Sequence, residues 1–335
     1  MTAFARIALL SLLLVAPVRL ERPAAADTAP FLVAALRRDG IVIPFASFDG
    51  KDWRATWPLD VEPKDRPATL DAVPRSWWGK AGALSQLTAW TNGVSRGIIR
   101  VHLGLPAVVR VMCDARIALV TDYRPSDAVP PPTVQPFPKD GLAVSGDQRV
   151  EAIQILTPQS PEWVAAAREM TVDFDAAEER AAASFLDWKH PFDKVQRRRF
   201  RPQIEAMYGA PMDEAGWTAY YLETVRLYPP GPQDRGCGLV TSASGWMAVD
   251  PKGKRSFFLR TRITYCDREG VRYMLPLGLI KTRDRSYWAY QMSGYGRESY
   301  LIVRPRQKEF VTELFYPAGD CPVVMSRDAN RVHFE

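Results

Sequence analysis

The chain has 335 residues, 47% of them hydrophobic and 24% charged, with 28 Pro and 21 Gly, which excludes both a disordered polymer and a small disulfide-stapled peptide. Its formal charge of +6 is too small for the whole surface to be a nucleic-acid footprint, so any polyanion contact has to rest on a local cluster, and no nucleic-acid partner is expected.

Residues 1–26 read as a secretory signal: Arg6, an apolar run from Ile7 to Val18, and Ala24-Ala25-Ala26 before Asp27. Loss of this segment removes three basic residues and one acidic residue, leaving a mature charge of +4. The apolar run is too short to span a bilayer, and no later run is long and uncharged enough, so the mature chain is expected to lack a transmembrane helix and to reside in the periplasm or outside the cell.

From Phe31 to about Pro158 the residues favour strands separated by the turn dipeptides Asp39-Gly40, Asp49-Gly50, Asn92-Gly93 and Asp140-Gly141. The clearest hairpin pairs Phe31–Arg38 with Ile41–Phe48. Another is expected around Asn92-Gly93, with further strands over Ile98–Leu103 and Ile117–Thr121. The Pro-rich piece from Val129 to Pro138 reads as a loop or extended connector. Trp53, Trp57, Trp77, Trp78 and Trp90 crowd this region. Adjacent Trp77 and Trp78 point oppositely if the chain is extended there, so one is a candidate for an exposed indole that stacks on a sugar or enters an interface.

Ser160-Pro161-Glu162-Trp163 opens a helix, with Ser as cap and Pro at its first position. The capping-box spacing Asp175 to Glu178 opens a second, running to about Trp188, and explains Asp175, Glu178 and Glu179 as caps and first-turn charges. Lys189 to Arg201 is the one concentrated basic patch. Its Arg197, Arg198, Arg199 and Arg201 are candidate ligands for phosphate, sulfate or carboxylate groups of an acidic polymer, against the plainer reading of a solvated face paired with acidic neighbours.

From Trp217 the pattern returns to strands, although Trp217–Tyr228 also admits a helix. Asp250-Pro251-Lys252-Gly253 has the residue preferences of a type I turn. Opposed residues about it have numbers summing to 503, or to 504 if Gly253 forms a one-residue bulge. Cys237 and Cys266 give 503, so they should bond at the far end of the hairpin, in register or one residue out; by elimination Cys113 pairs with Cys321. In the following strand Phe257, Leu259, Thr261, Ile263 and Tyr265 alternate with Ser256, Phe258, Arg260, Arg262 and Thr264. After the turn Asp267–Gly270, Val271, Tyr273, Leu275, Leu277 and Leu279 continue that pattern, and strands over 287–292, 300–304 and 310–315 complete a meander.

The expected fold is therefore mainly β, antiparallel meanders forming a sandwich, barrel or propeller, with a small helical insertion around 160–210. The organisation reads as signal 1–26, N-terminal β region 27–158, helical insertion or linker 159–212 and C-terminal β region 213–335, the two β regions separate or joined as one domain. His102, His190 and His333 fit no zinc spacing, Thr241–Gly245 lacks the nucleophile-elbow pattern, and no glycine cluster fits a phosphate or dinucleotide loop. No metal or cofactor is expected. The reading is an exported binding protein whose partner is a polysaccharide, a polyanion or an envelope protein; the alternatives are a secreted hydrolase of glycans or esters and a structural envelope subunit.

Overall fold

The computed structural model describes residues 29–55, 84–125, 139–186, 188–230, 237–294 and 296–321. The expected signal segment, Trp57, Trp77, Trp78 and the Pro-rich connector lie outside them.

The first part is built from β1 (Phe31–Arg37), β2 (Ile41–Phe48), β3 (Trp53–Arg54), β4 (Gln86–Thr91), β5 (Val94–Val111), β6 (Asp114–Thr121) and β7 (Lys139–Val144). Their order is β1-β7-β4-β5-β6-β2-β3, and β1 also pairs with β2, so six strands close into a barrel. The turn chemistry is local and acts as the dipeptides require. Asn92 (φ 46°) and Gly93 (φ 73°) form a two-residue turn between the opposed Thr91 and Val94, the positive φ values that a tight hairpin demands. Asp140-Gly141, expected as a turn, instead lies inside β7. Pairing there slips from Leu36–Gly141 to Arg37–Lys139, leaving Asp140 as a bulge, and a methyl group at Gly141 would fall 2.1 Å from the Trp90 carbonyl oxygen, so the glycine serves close strand approach.

The rest of the chain forms β8 (Arg149–Glu151), β9 (Gln154–Ile155), α1 (Pro161–Glu169), α2 (Thr171–Ala183), α3 (Lys194–Arg197), β10 (Gln203–Pro211), β11 (Thr218–Leu227), β12 (Leu239–Val249), β13 (Arg255–Tyr265), β14 (Tyr273–Lys281), β15 (Ser286–Gly294), β16 (Arg297–Arg306) and β17 (Glu309–Asp320). They make an outer sheet, β13-β12-β11-β10-β9, and a middle sheet, β17-β16-β15-β14-β8. Tyr208, Ala219, Tyr221 and Ala248 of the outer sheet pack on Met274, Leu279, Trp288, Tyr290 and Val303 of the middle one. The other face of the middle sheet, through Leu275, Ile280, Tyr287, Tyr300 and Tyr316, shares a core with the barrel. Lys139 of the barrel donates to both carboxylate oxygens of Glu298 on β16 (2.7 and 2.8 Å), and the Tyr300 hydroxyl donates to the same group (2.6 Å); burial lowers the Lys139 pKa. The helices cover the far face of the outer sheet, where Ala166 and Leu156 meet Met207, Leu222 and Met247. No helix among the described residues is long and apolar enough to cross a membrane.

Three expectations are corrected here. Asp267–Gly270 does not close a hairpin, because β13 belongs to the outer sheet and β14 to the middle one; the C-terminal region is two facing sheets joined by that crossing. The alternation read through Leu279 breaks at a bulge between Pro276 and Gly278, so Leu275 and Leu277 face the barrel whereas Met274 and Leu279 face the outer sheet. The segment 159–212 is helical only to Arg197, since β10 is an inner strand of the outer sheet; β8 and β9, from before residue 158, join the C-terminal sheets.

The two disulfides join the pairs expected. Cys237 and Cys266 have Cα atoms 5.4 Å apart, and Cys113 and Cys321 4.7 Å. Every opposed pair between β12 and β13, from Leu239–Tyr265 to Val249–Arg255, follows the 504 register, with Gly253 at φ 79° and its N–H donating to the Asp250 carbonyl (2.9 Å). The Asp250 carboxylate accepts from the Lys252 and Lys254 amides (2.8 and 2.9 Å) and fixes the bulged turn. The bond therefore closes one residue out of register, beyond the last rung.

Candidate functional site

The basic segment divides in two. α3 is short, capped by Asp193 in a capping box with Gln196, and turns Arg197 inward. Arg197 is buried, pairs with Glu178 and Glu179, and donates to the Phe192 carbonyl (3.0 Å). Arg198 reaches Asp175 (3.3 Å), whereas Arg199 and Arg201 are exposed. Arg197 thus leaves the set of accessible candidates. The acidic partners are also not caps: α2 begins a turn earlier, at Thr171, so Asp175 and Glu178 are interior residues that face Arg226 of β11.

The larger feature was not anticipated. β8 and β9, separated only by Ala152 and Ile153, tie the two sheets along one edge, while among the described residues β13 and β17 pair with no further strand on the opposite edges. Between these open edges lies a cleft of about 900 Å³. Its outer-sheet wall is built rung by rung from strand register: Tyr221–Trp246–Phe258, then Glu223–Ser244–Arg260, then Val225–Ser242–Arg262. The middle sheet contributes the rung Tyr290–Leu301–Phe315, with Met292 and Phe310 beside it. Trp246 stacks on Phe310 (4.7 Å between centroids, 12° between planes) and meets Trp288 edge-on (4.9 Å), and Phe258 stands edge-on to Phe310 (5.6 Å). One end is therefore aromatic, and Phe258 and Phe315 stay exposed at its rim.

The other end is polar and cationic. Arg260 and Arg262 of β13 and Arg272 before β14 line it, Lys308 stands two residues before Phe310 in the turn that precedes β17, and none of the four has a carboxylate within ion-pairing distance among the described residues. Three carboxyl groups, Glu205, Glu223 and Glu309, also line the cleft, and none is within ion-pairing distance of those four. Glu205, the extra residue at a bulge in β10, is held by both guanidinium nitrogens of Arg268 (2.6 and 2.7 Å). Glu223 is buried and accepts the Met274 N–H from the facing sheet (2.5 Å). Burial pushes its carboxyl up to about 8, against the pull of the Met274 amide, and the charge of Glu205 adds to the rise. Glu223 is therefore protonated at neutral pH. Burial likewise holds the hydroxyls of Tyr221 and Tyr290 above the usual phenol range.

A raised carboxyl pKa has a definite consequence for stability. The folded chain keeps on Glu223 a proton that the unfolded chain, with a pKa near 4.5, gives up, so this group's contribution to stability is undiminished below that value and falls as pH rises through the interval to about 8. Glu223→Gln, which keeps the acceptor for Met274 and cannot ionise, should match the parent near pH 4 and gain on it as pH rises, at up to about 1.4 kcal/mol per pH unit. Urea unfolding of both proteins across that range checks the slope; a constant difference would mean that Glu223 does not titrate in this window.

A second, closed space between barrel and middle sheet, beside Lys139 and Gly278, measures about 10 Å³ and admits at most one water. No group of three His, Cys, Asp or Glu residues arranged to hold a metal occurs among the described residues. The alternation of β13 marks one mainly apolar face and leaves open what meets the other. In the structure its mainly apolar face, with Phe257 and Ile263, turns to the helical layer, and Arg260 and Arg262 face the second sheet. A signal for Glu223 was present: a lone carboxyl within the aromatic and apolar run Tyr220–Val225.

Comparison with known protein families, with curated proteins and with solved structures returned no match. Fold and site define a mainly β, doubly disulfide-bonded chain with a large cleft between two of its sheets.

Proposed function

We propose that this is an exported binding protein, periplasmic or extracellular, whose inter-sheet cleft takes an organic anion with an apolar body. The observation that carries the reading is the pairing within one cleft of three arginines that lack acidic partners among the described residues and a wall of Trp246, Phe258, Phe310 and Phe315. Guanidinium forks suit carboxylate, sulfonate or phosphate oxygens, and the aromatic end removes an apolar body from water. A volume near 900 Å³ lies within the range of small-molecule sites. Neutral Glu223 offers a hydroxyl donor beside the arginines and no competing negative charge.

The test uses 1-anilinonaphthalene-8-sulfonate, an aromatic sulfonate of this chemistry, as a fluorescent probe. The exported chain should bind it saturably, decyl phosphate or decanoate should displace it, and a neutral decyl glycoside should not. Arg260→Ala with Arg262→Ala should weaken binding by tenfold or more, since a hydrogen bond to a charged group contributes about 1.5–3 kcal/mol. Unchanged affinity in that variant would remove the cleft from the proposal.

A hydrolase reading draws on one observation, that protonated Glu223 and the Arg268-bound Glu205 both line the cleft. Release of sugars from a polysaccharide panel, lost in Glu223→Gln, would favour it.

A further inference from the structure

The outer surface of the helical layer is a second and independent candidate for contact. From Phe185 to Arg201 the chain is anchored by Phe185, Trp188, Phe192 and Phe200, which pack on Tyr228, Leu239 and Ile263 of the outer sheet. These aromatics, His190 and Arg197 turn inward, whereas Leu186, Lys189, Lys194, Val195, Arg198, Arg199 and Arg201 are exposed. Leu186 is 97% exposed and Val195 68%. The same stretch carries Lys189, Lys194, Arg199 and Arg201, all exposed and, among the described residues, without a carboxylate partner, together with exposed Arg198, which reaches Asp175. The sequence of this stretch carries only Asp187 and Asp193 in opposition, and Asp193 is used as the cap of α3.

We propose that this face docks on an anionic lipid surface, the cations meeting the headgroups and Leu186 and Val195 entering the interface between headgroups and acyl chains. A soluble polyanion would satisfy the arginines but leave both apolar side chains in water. A protein interface would have to accommodate two lysines in a patch where they are ordinarily depleted. A lipid surface uses both halves: each basic side chain near an anionic leaflet strengthens binding, and exposed apolar side chains add burial that a charged polymer cannot supply. The contact lies on the helical side of the outer sheet, away from the cleft, and does not depend on the cleft reading.

Cosedimentation of the full exported chain with vesicles tests this. Binding is expected to vesicles containing about a third phosphatidylglycerol, to be absent with phosphatidylcholine alone, and to fall with added salt. Changing Arg198, Arg199 and Arg201 together to Glu should weaken it roughly a hundredfold, and Leu186→Asp, a fully exposed site, roughly tenfold; circular dichroism confirms that both variants keep their β structure. Equal binding to both vesicle types, no binding to either, or unchanged binding in the two variants would overturn the proposal. So would a Leu186→Asp variant with undiminished vesicle binding that heparin displaces completely, since that result assigns the face to soluble polyanions.

Discussion

Replacing Cys113 and Cys321 together by Ser should lower the free energy of unfolding by about 5 kcal/mol, because the bond closes a loop with a sequence separation of 208 residues and restricts the unfolded chain accordingly. Its native surroundings support the full effect. Cys113 sits in the turn between β5 and β6, and Cys321 directly follows β17, where its N–H donates to the Gly296 carbonyl (2.7 Å). The two backbones already touch: a methyl group at Gly319 would lie 2.0 Å from the Val111 carbonyl oxygen, and the Asp320 amide donates to Asp114 (3.1 Å). The bond therefore fastens the barrel to the edge of the middle sheet where packing has placed them. Replacing Cys237 and Cys266, with a separation of 29 residues, should cost less, about 3.5 kcal/mol. Guanidinium unfolding of the two double variants under oxidising conditions measures the difference, and a smaller loss from the longer loop would show that chain entropy does not govern the effect.

Glu178→Ala should destabilise the chain by about 3 to 5 kcal/mol, the range for breaking a buried ion pair by removing one partner. Glu178 and Arg226 are both about 1% exposed and directly hydrogen-bonded. The same carboxylate accepts the Tyr228 hydroxyl (2.5 Å) and lies 3.5 Å from the Arg197 guanidinium. Arg226 also bonds Asp175 (2.6 Å) and lies over the Phe174 ring (4.7 Å), so it keeps part of its environment when Glu178 is lost. Arg226→Met together with Glu178→Ala should therefore cost less than the two single changes added, since no unpaired charge is left by that pair. Thermal and urea unfolding of the three variants gives the coupling; strict additivity would mean that the pair does not act as a unit.

What the sequence reveals about this fold follows the range of the forces involved. The hairpins at Asp39-Gly40, Asn92-Gly93 and Asp250–Gly253 were legible because the residues that need positive φ or a side-chain cap are adjacent in the chain, and the register from the last of these led to Cys237 and Cys266. Sheet membership was not legible. The short link Asp267–Gly270 has the composition of a hairpin turn, yet it passes between sheets, and only long-range packing of β14 between barrel and outer sheet decides that. The cleft was hidden for the same reason: a strand with one apolar and one polar face reveals two faces but not which meets helices and which meets a second sheet. The arginine cluster was half legible. Its density was plain, while the inward turn of Arg197 depended on Glu178 and Glu179, 19 and 18 residues away in the chain.

The measurement that bears most directly on the cleft as the proposed binding site is amide hydrogen exchange of the protein with and without saturating decyl phosphate. The structure predicts slowed exchange in Ser242–Trp246, Phe258–Arg262, Val271–Tyr273 and Lys308–Thr312, the segments that wall the cleft, with little change in the barrel. Protection confined to residues 186–201, or none at saturation, would contradict it.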